Sequence, residues 1–190
     1  SLGGDVIFTW NDAGITYGGD DTILNYGNGY VDIRGDFIFS RGSISYSGDD
    51  YIFNSGIGSG NDIVGDYIIT INEGTQAHGG NDHIINQGQV RYISGDGLEG
   101  WNAIIICGAD LIVNTGLTNE IRGDTYDVSS TAPCTSGGND TIINSGTVDY
   151  VIFAEYGNDL VILRDGSNGG EDNVFSIDGG EGVDTLRFEW

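Results

Sequence analysis

Aspartates recur along this chain at spacings that put carboxylates beside carboxylates. Asp21, Asp50, Asp82, Asp110 and Asp140 follow one another at 29, 32, 28 and 30 residues. Asp36, Asp66, Asp96 and Asp124 form a second series at 30, 30 and 28. If the chain coils with that period, each series becomes a column with carboxylates ~5 Å apart, the rise between stacked strands. Like charges at that distance repel by ~0.8 kcal/mol in water and ~3 kcal/mol at an effective dielectric of 20. Something cationic must offset this. The chain has no Lys and only six Arg against 29 Asp+Glu. Calcium fits, because it accepts six to eight oxygens from Asp side chains and from the carbonyls that Gly-rich turns expose.

The elements that would hold these columns are visible as an internal repeat. One block reads GGDDTILNYG from Gly18, SGDDYIFNSG from Ser47, GGNDHIINQG from Gly79, CGADLIVNTG from Cys107 and GGNDTIINSG from Gly137. Between its copies lies a shorter block: IRGD at Ile33, IVGD at Ile63, ISGD at Ile93, IRGD at Ile121 and a degenerate IFAE at Ile152. A third, variable stretch such as FIFS or YIITI completes each unit. Short β-rich runs parted by Gly and Asn turns at constant spacing predict an all-β, right-handed parallel β-solenoid. Six coils would make a rod on the order of 30 Å long.

Gly-Asp also recurs at the half period, so the coil has about thirty residues or about fifteen. Asn25, Asn54, Asn86, Asn114 and Asn144 favour the longer coil, since no Asn matches them at the half period. Buried amides stack favourably when like sits on like. They are expected as a structural ladder. Ile23, Ile52, Ile84, Ile112 and Ile142, two residues earlier, share their face and are core. Leu24, Phe53, Ile85, Val113 and Ile143 alternate to the opposite face, where they form an outward stripe able to contact another chain or lie beneath the variable stretch.

The segment GGEGVDTL, Gly179 to Leu186, resembles the nonapeptide of RTX calcium-binding repeats, and GSGNDIV at Gly58 and YGNDLVI at Tyr156 match most of it. The resemblance implies calcium ligands at Asp62, Asp159, Asp172 and Asp184, and extends the same role to the two Asp columns. The central coils, with phrases such as TIINSGTV, look more like passengers of bacterial autotransporters. On this reading residues 1–155 form about five ladder repeats, and residues 156–190 form RTX-like turns continuous with them.

The net charge of −23 disfavours nucleic acid and anionic membranes as partners, while 38% hydrophobic residues suffice for a core. No apolar run reaches the ~18 residues of a membrane span. The chain opens without a leader and looks excised from something longer. Cys107 and Cys134 occupy nearly the same slot in consecutive repeats, so a thirty-residue coil predicts a disulfide between them. His78 and His83 form no cluster, and carboxylates that repeat in every coil argue against a single active site. RGD occurs at Arg34–Asp36 and Arg122–Asp124 and resembles an integrin ligand, but the repeat itself demands the Gly and the Asp. The expected function is a non-enzymatic calcium-binding module of a secreted or cell-surface bacterial protein, adhesive or scaffolding. Its partners would be a host receptor, a glycan or neighbouring copies. A C-terminal secretion and folding module of an exported enzyme is the alternative, and a polysaccharide-acting enzyme the third reading.

Overall fold

Alternation of apolar and polar side chains along runs of three or four residues makes each run a strand with one face to bury. In Tyr51–Asn54 and His83–Asn86 alternate side chains are half-buried and buried. The computed structural model describes residues 2–9, 14–41, 44–58, 62–70, 74–100, 103–124, 134, 136–168 and 175–190. Among them there is no helix, and every strand pairing is parallel.

Three sheets run along the molecule. The first is built on Ile33–Ser40, Asp62–Thr70, Tyr92–Gly100, Leu117–Arg122, Thr147–Phe153 and Ser176–Asp178. The second stacks seven strands: Thr22–Asn25, Tyr51–Asn54, His83–Asn86, Leu111–Asn114, Thr141–Asn144, Leu160–Arg164 and Thr185–Glu189. The third has four short strands, Ile15–Tyr17, Ile44–Tyr46, Gln76–His78 and Ile104–Ile106. The chain visits the first, third and second sheets in turn and returns, which makes a parallel β-solenoid.

Register settles the coil length. Ile52 pairs with Ile84, Ile84 with Ile112 and Ile112 with Ile142, so like sits on like at the full thirty-residue period. The variable stretches are not separate elements. FIFS and YIIT continue the Gly-Asp strands past a bend at the glycine, into Ile33–Ser40 and Asp62–Thr70. Beyond Asn144 the coil shortens, because Asp140 stacks on Asp159 only 19 residues later and Asp159 on Asp184 after 25. Among the described residues the third sheet does not enter these coils: its last strand is Ile104–Ile106, and a single parallel bridge from Ile106 to Ser136 lies beyond it.

The bend divides the interior in two. Ile33, Ile63, Ile93, Ile121 and Ile152, before the glycine, pack with Ile23, Ile52, Ile84, Ile112 and Ile142 of the second sheet. Ile38, Ile68 and Leu98, beyond it, pack with Ala77 and Ile105 of the third sheet and with Cys107 and Cys134. Each fully buried Ile contributes roughly 1.5–3 kcal/mol of transfer free energy. Asp66 lies between Ile63 and Ile68 on one wall, and Asp82 between Ala77 and Ile84 on the other. The two Asp series therefore stand between the two apolar compartments.

Candidate metal centre

Each Gly-Asp bend of the first sheet faces the turn that joins the third sheet to the second. The two aspartate columns are consequently not separate rows. They interleave into one file in which Asp36, Asp50 and Asp66 each bring a carboxylate oxygen within 4.8 Å of the other two, and so do Asp66, Asp82 and Asp96. Asp5, Asp21 and Asp36 form a further such group. From Asp50 to Asp140 the side chains in this file are buried.

Backbone amides hold the file in register. In the first column, Oδ1 of each Asp accepts the N–H of the Asp one coil before. The bonds run from Asp21 to Asp50 at 2.6 Å, Asp50 to Asp82 at 2.8 Å, Asp82 to Asp110 at 2.7 Å and Asp110 to Asp140 at 2.8 Å. Asp140 and Asp159 continue it at 2.8 Å and 3.1 Å to Asp159 and Asp184. Asp159 and Asp184, assigned from the RTX resemblance, thus extend the same column. In the second column Asp66 accepts two amides, from Asp36 at 3.2 Å and from Gly80 across the coil at 2.8 Å. Gly48 and Gly108 likewise donate to Asp36 and Asp96 at 3.1 and 2.7 Å.

The other oxygen of the first column is left over. Oδ2 of Asp50, Asp82, Asp110, Asp140 and Asp159 is buried and has no hydrogen-bond partner in the protein, and neither has Oδ1 of Asp96. Glycine makes room for these oxygens. A Cβ on Gly35, Gly65 or Gly95 would stand 1.8 Å from Oδ2 of Asp50, Asp82 or Asp110 respectively. A buried polar atom with no partner costs about 1–3 kcal/mol, and more when charged. Burial, and then the neighbouring carboxylates, raise these acids far above the usual range. Asp50 and Asp140 are pushed up to about 8 and Asp124 to about 9, while Asp82, Asp96 and Asp110 rise well above the usual value. Asp66 rises to about 7, with burial again the largest cause, and Asp36 and Asp159, with fewer buried neighbours, reach about 6. A chain of acids so placed is neutralised by protons or by cations. Its donors are all oxygen, which suits a hard cation.

Other expected residues fall elsewhere. Asp62 pairs with Arg91 through Oδ2 and Nη2 at 2.6 Å, outside the file, and Asp172 lies outside the described residues. The Asn ladder is continuous. Nδ2 of Asn25, Asn54, Asn86 and Asn114 donates to Oδ1 of the next Asn at 2.7–2.8 Å, and Leu163 takes the slot after Asn144. Leu24 is half exposed, and Phe53, Ile85, Val113 and Ile143 are partly exposed on the outward face of the same sheet. Cys107 and Cys134 are joined by a disulfide with Cα atoms 6.1 Å apart, which takes both thiols out of the ligand set around Asp124. Both RGD aspartates are fully buried, so neither tripeptide presents its carboxylate to a receptor. His83 lies edge-on to Tyr51 and His78 stacks on Tyr46, each in a surface row of rings.

Two features escape sequence reasoning. Asp5 belongs to the file, and the signal was its Gly-Asp pair 31 residues before Asp36. An outer row, Asp20, Asp49 and Asn81 and, after a break at Ala109, Asn139 and Asn158, runs beside the inner one with opposite polarity. There Asp20 accepts the N–H of Asp49 at 3.0 Å, and Asp49 that of Asn81 at 2.7 Å. The repeated acidic or amide pairs, DD and ND, carry one residue of each row.

Comparisons with protein-family models, with curated proteins and with solved structures find no match to this chain. The class that the fold defines is the parallel β-solenoid.

Proposed function

We propose that this chain is a non-enzymatic, calcium-loaded solenoid module of a secreted or cell-surface bacterial protein, serving adhesion or as a scaffold. The observation that carries the reading is the set of buried carboxylate oxygens without partners, of which those of Asp50, Asp82, Asp110 and Asp140 are each received by a glycine that leaves space for them. Calcium supplies positive charge to such a file without needing the lysines that the chain lacks. The site repeats in successive coils, as a structural ion array does, whereas one active site would be singular. A disulfide between consecutive coils suits an oxidising exterior. The outward apolar row and the two aromatic rows give such a module surface for a glycan, a receptor or a neighbouring copy. The RTX-like segment Gly179–Leu186 keeps the secretion-module reading in view, since Asp184 prolongs the same column.

Circular dichroism melts with calcium and with chelator test the calcium reading. The expected result is loss of the β spectrum, or a large fall in melting temperature, when calcium is removed at pH 8. An unchanged melt would contradict it.

A further inference from the structure

The three carboxylate groups are linked. Asp36 belongs both to the group with Asp5 and Asp21 and to the group with Asp50 and Asp66; Asp66 belongs to that group and to the one with Asp82 and Asp96. We propose that the file binds dehydrated divalent cations of calcium size in single file along the solenoid interior, with Asp36 and Asp66 each bridging two successive ions. This rests on the calcium reading above and specifies how its ions are arranged.

Three observations support the arrangement. The first is ligand capacity. A carboxylate offers about four lone-pair sites. Asp66 uses two for the amides of Asp36 and Gly80, and with the neighbouring Ser47 hydroxyl donating to the carbonyl of His78 at 3.0 Å it keeps two, enough for one cation on each side. The first-column residues Asp50 and Asp82 instead spend Oδ1 on one amide and hold Oδ2 unpartnered, although each side chain is only 2% exposed. The second is charge. Asp5, Asp21, Asp36, Asp50, Asp66, Asp82 and Asp96 make seven carboxylates for three ion positions. Three divalent ions would neutralise six of those charges, and three monovalent ions would leave most of the repulsion in place. The third is enclosure. The groups from Asp36 to Asp96 stand between two apolar compartments, where an ion sheds its water and takes protein oxygens instead. Calcium tolerates this, whereas magnesium gives up water reluctantly and demands an octahedral cage.

Shared ligands make two testable differences. Bound calcium is counted by equilibrium dialysis on the whole chain and on three isosteric variants. Asp66→Asn should remove two ions, while Asp50→Asn and Asp82→Asn should each remove one. Should Asp66→Asn fail to fold, manganese-loaded wild type keeps the proposal open to refutation. Ions bridged by one carboxylate give an exchange-broadened paramagnetic resonance spectrum in place of the six-line pattern of isolated manganese. A large excess of magnesium should displace none of the bound calcium. Equal losses in all three variants, isolated manganese lines or ready displacement by magnesium would overturn the shared file while leaving calcium binding intact. A wild-type chain that binds no divalent ion would overturn both.

Discussion

The two apolar compartments of one solenoid are built on different terms. The compartment against the Asn ladder receives an isoleucine from each of two walls in coil after coil, and it continues past Asn144 with Val161 and Leu163. The compartment against the short third sheet mixes Ile38, Ile68, Leu98, Ala77 and Ile105, and it ends at the Cys107–Cys134 disulfide. A repeated side chain stacked on itself fixes register at every rung, because a one-residue slip would turn the whole row outward. A mixed row fixes register weakly, and here a covalent link takes that role where the sheet stops. The carboxylate file separates the two and needs both walls in place.

The largest effect on this division should come from closing a glycine cradle. In Gly95→Ala the new Cβ would meet Oδ2 of Asp110 at 1.8 Å and the carbonyl of Gly123 at 2.1 Å, both fixed by their own coils. The expected outcome is a chain with no cooperative melting transition by calorimetry. An alanine variant that melts like wild type would show that the bend is not sterically closed.

Core truncation should distinguish the compartments by degree. Ile84→Ala, between Ile52 and Ile112 in identical register, should cost about 3–5 kcal/mol, because the neighbouring rungs cannot collapse into the space. Ile105→Ala sits in the last named strand of its sheet, beside two alanines and with only a single bridge, Ile106 to Ser136, beyond it, so relaxation should hold its cost to about 2–3 kcal/mol. Denaturant titration of both variants measures the difference, and equal costs would remove the distinction. Reduction of the disulfide, which spans 27 residues, should cost up to about 3.5 kcal/mol on chain-entropy grounds. Hydrogen exchange should then quicken in Ile104–Ile106 but not in Leu111–Asn114.

The pH dependence follows from the raised acids and reverses with the ion. Their folded-state values lie above their unfolded ones, so in chelator their contribution to stability is complete below about pH 4. It is lost as pH rises through about 6 to 9, with Asp36 at the lower end and Asp124 at the upper. The melting temperature of the calcium-free protein should therefore fall from pH 5 to pH 9. With calcium present the ionised carboxylates are the binding form, and the fall should flatten or reverse. The smallest effect belongs to the outward row. Phe53→Ser should change stability by less than about 1 kcal/mol, since the side chain is already partly exposed, while lowering self-association in sedimentation if the row is a contact surface.

Much of this was legible from spacing alone. The Asn and Ile rows repeat one residue type at one interval, and that is enough to give the coil length and to separate the inward face from the outward one. The interleaving of the Asp columns was not legible. A half-period offset is compatible with two carboxylates on opposite outer walls or with two facing each other inside, and only the bend at Gly65 and its equivalents turns both inward. Nor did motif matching separate Asp62 from Asp66, four residues apart on one strand, of which the first meets Arg91 and the second enters the file. The shortening of the coil after Asn144 was not legible either, because it leaves no mark in the sequence except a shorter interval between aspartates, beside which the RTX-like motifs of residues 156–190 stand out first.

The most direct test of the central claim is anomalous diffraction from crystals of the whole chain grown with calcium and exchanged with terbium. Peaks are expected inside the solenoid, between the isoleucine compartment and the disulfide-ended one, spaced one per coil beside Asp50 and Asp82. Peaks confined to the outer row at Asp20 and Asp49, or an interior holding only closely paired, proton-sharing carboxylates, would contradict it.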